Sequence, residues 1–117
     1  MFRLLADNVV LRAHGTSALV SIHAESCLER PEETNLLARE KSNGQIFTYL
    51  TVRPSAVRIT AGEEIPCDPD TVFVKAYGRS SELWRQLVEL SIISPTPEES
   101  FVVDNMGSCV HAVRLLG

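Results

Sequence analysis

Apolar and polar positions alternate with a period near two over most of this chain, the pattern of strands whose successive side chains point to opposite faces. "FRLLA" and "VVLRAH" flank Asp7-Asn8, a pair that tolerates the positive φ of a tight hairpin turn. "HGTS" then turns the chain into "ALVSIHAE". There Leu19, Ser21 and His23 share one face, and Val20, Ile22 and Ala24 share the other. The opening segment is therefore expected to be a β-meander.

The stretch from Cys27 to Asn35 breaks the alternation. Pro31 stands before acidic residues in "LERPEET", so this reads as a loop or a short helical turn. Asn43-Gly44 follows between two further strand patterns, and Asn-Gly is the strongest short hairpin signal because both residues accept φ > 0. Ile46, Phe47, Tyr49, Leu50 and Val52 read as one strand, which Arg53-Pro54 ends. "AVRIT" is a short strand, "GEEIPCDPD" a loop, and "TVFVKAY" a central strand. "FVVD" and "CVHAVRLL" form a last hairpin around "NMGS".

Only "SSELWRQLVELSII" changes period. Leu83, Leu87 and Leu90 recur at helical spacing with Trp84 and Val88 beside them, while Arg85, Gln86 and Glu89 fall opposite. Ser80 or Ser81 supplies the cap, Glu82 suits the helix dipole, and Pro95 and Pro97 stop the helix. The pattern predicts an amphipathic helix over about residues 80–93. The expected fold is α+β. A mostly antiparallel, strongly curved or packed sheet of about six to eight strands carries this one helix on one face.

Composition adds bounds. The chain has 117 residues, a hydrophobic fraction of 44% and a charged fraction of 22%, which fit one globular domain over residues 1–117. The net charge is -4 and the nine arginines are scattered, which argues against nucleic-acid binding. No apolar run approaches the ~20 residues of a membrane span. The first ten residues lack the apolar stretch of a signal peptide. Cys27, Cys67 and Cys109 are odd in number and far apart, so free thiols and a cytoplasmic location are expected.

The chemistry-bearing residues are few. Cys109 and His111 share a strand face, but their side chains are about 7 Å apart along it, too far for a thiolate–imidazole pair without bending. His23 and Cys27 lack zinc-hairpin spacing, and a closed site would have to recruit Cys67 from a Pro-rich loop. No metal and no cofactor are therefore expected. The acids Glu63, Glu64, Asp68 and Asp70 do not follow a calcium-loop spacing. Gly78 before the helix lacks a phosphate-binding motif and reads as a turn. With no coherent catalytic set, the sequence favours a non-enzymatic interaction or regulatory module. Several strands ("VVL", "IFTYL", "TVFV", "FVV") are apolar on both faces and need a second cover. That cover can come from the segment between Cys27 and Asn35, from curling of the sheet on itself, or from a second copy; a homodimer is expected, through the sheet face away from the helix or along one edge, with an unidentified protein as a further partner. The alternative is a small-molecule binder or enzyme. Its pocket would lie between helix and sheet, with His14, His23, Cys109 and His111 as its polar groups.

Overall fold

The period-two segments form eight strands in two antiparallel sheets, and the period-3.6 segment forms one helix, among the described residues. The structure is a computed structural model that describes residues 2–13, 15–26, 33–52, 70–75, 81–102 and 109–116. The first sheet holds β1 (Phe2–Ala13), β2 (Thr16–Ser26), β3 (Thr34–Glu40) and β4 (Ile46–Tyr49) in sequential order. The second holds β5 (Thr51–Val52), β6 (Thr71–Lys75), β7 (Glu99–Val102) and β8 (Cys109–Arg114) in the order β5-β6-β8-β7. The helix, α1, spans Ser81–Glu89. The fold is α+β and mostly antiparallel. The strand "AVRIT", the turns at Arg53-Pro54, Gly78-Ser80 and "NMGS", and the loop through Pro69 lie outside the described residues.

Asp7-Asn8 is not a hairpin turn. β1 runs through it, with register shifts between Leu4 and Ala6 and between Ala6 and Val9. Asn8 does take φ 54°, but it spends that conformation on a bulge inside one long strand. The real hairpin follows at Gly15, φ 75°, where Ala13 pairs with Thr16. The Asn43-Gly44 turn forms, with a different geometry. Glu40 pairs with Gln45 and Gly44 N–H donates to Glu40 O at 2.8 Å, so four residues make the loop. Of the two, only Gly44 adopts positive φ, 73°. Asn43 instead accepts the Gln45 N–H on its side chain at 2.9 Å.

The strand expected from Ile46 to Val52 is two strands in two sheets. The chain changes sheet at Leu50, which is fully buried and donates its N–H to Leu36 O at 2.8 Å. The next residue, Thr51, accepts the Leu36 N–H on Oγ1 at 2.9 Å and donates to Asn35 Oδ1 at 3.2 Å. One buried hydroxyl therefore ties the start of β3 to the start of β5. The segment expected to be loop or helical turn up to Asn35 yields to β3 at Thr34.

Both sheets contribute to one core. Leu11, Val20, Ile22, Leu36 and Ala38 from the first meet Val72, Val74 and Val113 from the second, with Leu83 and Leu87 of α1. Each fully buried aliphatic side chain contributes roughly 1.5–3 kcal/mol. β6 is buried on both faces. Val72 and Val74 enter this core, and Phe73 joins Phe101, Val110 and Ala112 in a second cluster on the opposite side. Phe73 and Phe101 pack with ring centroids 6.0 Å apart. The face of the second sheet away from α1 is thus closed within a single chain.

The helix is shorter than its apolar pattern. Ser91 takes φ 58°. Its N–H donates to Val88 O, and Ile92 N–H donates to Leu87 O, both at 3.0 Å. These two bonds are the Schellman arrangement, with a serine at the position glycine usually fills. Ile92 is buried and Ile93 bridges to Leu115, so both join the sheet side of the core. Leu90 does not pack as its spacing suggests; it is 36% exposed.

Candidate functional site

Strand parity places the four sequence candidates in different surroundings. In β2, Val20, Ile22 and Ala24 enter the core, so Ser21, His23 and Glu25 lie on the outer face of the first sheet. In β8, Val113 enters the shared core and Val110 and Ala112 the second cluster, so His111 lies on the α1 side. His23 and His111 are therefore on different sheets. His14 lies outside the described residues. Cys109 opens β8 opposite Val102, and its side chain is not described.

Each described imidazole touches a serine. His23 Nε2 is 2.9 Å from Ser21 Oγ, two residues away on the same strand. His111 Nδ1 is 2.7 Å from Ser100 Oγ across the β7–β8 pair. The Trp84 ring meets the His111 ring edge-on, with centroids 5.1 Å apart. A hydroxyl against an imidazole is the contact that begins nucleophilic catalysis, but that chemistry also needs a group orienting the imidazole and donors for an oxyanion. At His111 the contacts are a cross-strand hydrogen bond and an aromatic edge, which fasten β7 to β8 and α1 to the sheet. Ser100 escaped the sequence reading because β7 begins at Glu99, two residues before the "FVVD" pattern. Among the described residues, no three His, Cys, Asp or Glu side chains converge on a point that could hold a metal.

The more distinctive surface is the outer face of the first sheet. Cross-strand pairing aligns Leu4, His23, Leu37 and Tyr49 in one row over all four strands. Asn35 and Leu37, in the middle of the face, are buried. Around them Leu4, Ile46 and Tyr49 stay open, and the pair Val10–Leu19, at 65% and 48% exposure, is the most prominent feature. These five side chains are most of the large exposed hydrophobics among the described residues; the others are Leu90 and Leu116. A charged pair borders them, Lys41 Nζ donating to Asp7 Oδ1 at 2.8 Å. That hydrogen bond holds the Asp7 carboxyl below the usual aspartate range.

Two shallow grooves flank the Val10–Leu19 pair. One, of about 290 Å³, lies between β1 and α1, and its lining includes Val10, Arg12, Glu82, Arg85, Gln86 and Glu89. The other, of about 430 Å³, lies beside Leu19, with Ser17, Glu40 and Lys41 on its walls. Neither His23 nor His111 lines either groove. The two register shifts in β1 cancel in facing, so Leu4 and Val10 both point outward, and together they set Val10 opposite Leu19 while Val9 and Leu11 enter the core. Among the described residues, no helix is long and apolar enough to cross a membrane. The chain matches no known protein family, no curated protein and no solved structure.

Proposed function

We propose that this protein is a non-enzymatic interaction module that self-associates as a homodimer through the outer face of its first sheet. One observation carries the reading: Leu4, Val10, Leu19, Ile46 and Tyr49, most of the exposed large apolar side chains described, share that face. Soluble chains seldom gather such residues on one side unless a partner covers them. The occupant is a second copy because the surface is its own complement. The Val10–Leu19 pair is a ridge, and a groove runs on either side of it. A two-fold axis lets the ridge of each copy enter a groove of the other, as an isologous interface requires. The groove walls carry both signs, Arg12, Arg85 and Lys41 against Glu82, Glu89 and Glu40, with Arg12 paired to Glu82 and Lys41 to Asp7 within the chain, so neither groove presents a single sign of charge that would repel a second copy. With the face of the second sheet away from α1 already closed, association uses the first sheet. We place the protein in the cytoplasm, on its three widely spaced cysteines. Sedimentation velocity at micromolar concentration tests the reading, with Leu19→Asp as the variant that should dissociate the pair.

A further inference from the structure

The side-chain amide of Gln86 sits against the open edge of β1 as a neighbouring strand would. Arg12 N–H donates to Gln86 Oε1 at 2.8 Å, and Gln86 Nε2 donates to Arg12 O at 2.8 Å. Nε2 also donates to Glu82 O at 3.1 Å, which anchors the amide to α1. Both backbone groups of one strand residue are thus taken by one carboxamide. That is the pairing a residue of an added antiparallel strand makes with its opposite number.

β1 is where such a device is needed. β4 has four residues, β5 two and β7 four, whereas β1 has twelve and forms the edge of its sheet. A long edge carrying exposed apolar side chains such as Val10 is a template for pairing with another chain. The Asp7–Asn8 bulge interrupts this edge toward its N-terminal half, a known way of blunting edges. Beyond the bulge, the pair Arg12–Ser17 is next to the hairpin pair Ala13–Thr16, so its backbone groups point away from β2. Gln86 occupies that position.

We infer that Gln86 is an edge guard: its carboxamide fills the strand-pairing position at Arg12 and keeps β1 from adding the β1 edge of a second copy. This does not rest on the face-mediated dimer: Gln86 and Arg12 also line the groove between β1 and α1, but the guarded position is the backbone N–H and C=O of Arg12 on the β1 edge, which pair with the Gln86 amide whether or not the outer face is covered. The test is Gln86→Met, which keeps the side chain's length and removes both hydrogen-bonding groups. Ile22→Val, a buried change in β2 away from the edge, serves as the destabilised control. Two readouts are taken, amide hydrogen exchange at Arg12 and particle size by light scattering across micromolar concentrations. The Arg12 amide should exchange roughly five- to tenfold faster in Gln86→Met, as losing one hydrogen bond gives. Species larger than those of the wild type should appear and grow with concentration, while Ile22→Val keeps the wild-type size. The inference is overturned if Gln86→Met keeps the wild-type size, whether or not Arg12 loses protection. It is equally overturned if Ile22→Val assembles to the same extent, because general destabilisation would then explain the growth.

Discussion

Thr51→Val removes one hydroxyl at the place where the chain passes from one sheet to the other. Valine has nearly the same shape as threonine, so no cavity forms and packing is kept. Two groups lose their partner: the Leu36 N–H, 2.9 Å from Thr51 Oγ1, and Asn35 Oδ1, 3.2 Å away. Both residues are buried, Leu36 completely and Asn35 at 9% exposure. A buried polar group left without a partner costs about 1–3 kcal/mol. The Asn35 oxygen has more freedom to find another donor than a strand amide has. Taking the amide as the main loss, the expected destabilisation is about 2 kcal/mol, or roughly 8 °C in Tm for a chain of this length. Thr51→Ser is the counter-experiment. It keeps the hydroxyl and deletes a methyl, at a cost of about 1 kcal/mol. Urea unfolding of both variants at one protein concentration gives the comparison. If the serine variant is the weaker of the two, or the valine variant lies within about 0.3 kcal/mol of wild type, the hydroxyl does not bridge the sheets.

Further expectations concern α1. Leu87→Ala should lose about 2–5 kcal/mol, because Leu87 is fully buried in the core shared by both sheets; Leu90→Ala, on the exposed turn, should lose less than about 0.5 kcal/mol. Urea unfolding separates the two, and equal losses would mean that the helix is rotated from its described seat. Ser91→Gly should stabilise by about 0.5–1 kcal/mol, since glycine takes the φ of 58° that serine holds at a cost. A loss of stability on that change would show that the Ser91 side chain contributes more than its backbone strain removes.

Local turn chemistry made much of the strand plan legible in the sequence. Gly15 and Gly44 stand at hairpins because few other residues accept positive φ. The doubly apolar pattern of "TVFV" correctly signalled a strand covered on both sides, with Val72 and Val74 in one core and Phe73 in another. Where the reading failed, one local signal served two structures. Asn8 takes the positive φ expected of it, but a bulge uses that φ as readily as a turn does. Leu50 continues the pattern of "IFTYLTV" without a break, yet the chain changes sheet there, because the hydrogen bonds of Leu50 and Thr51 to Asn35 and Leu36, outside the segment, fix the corner. Leu90, Ile92 and Ile93 extend the helical spacing, but an exchange of backbone bonds at Ser91 ends the helix first.

The site was less legible than the fold. Residue type alone suggests one pocket for His23 and His111 only as the alternative to an interaction module. Which strands become neighbours depends on pairings distant in sequence, and the sheet order sends the two imidazoles to different sheets. The outer face of the first sheet was hidden for a related reason. Val10 and Leu19 become one ridge only when the two register shifts in β1 set the pairing between them. Gln86 carried no signal at all, since a glutamine on the polar side of a helix is ordinary until a strand edge lies beside it.

Sedimentation velocity of the wild-type chain beside Leu19→Asp, at low to high micromolar concentration, tests the central claim most directly. Leu19 is 48% exposed on the ridge, so the substitution leaves the core intact and places a carboxylate where the two copies meet. The wild type should sediment at about twice the 12.9 kDa of one chain, and Leu19→Asp should sediment as a single chain with an unchanged urea midpoint. A wild-type mass of one chain across the range, or a Leu19→Asp variant that remains paired, would contradict self-association through the outer face of the first sheet.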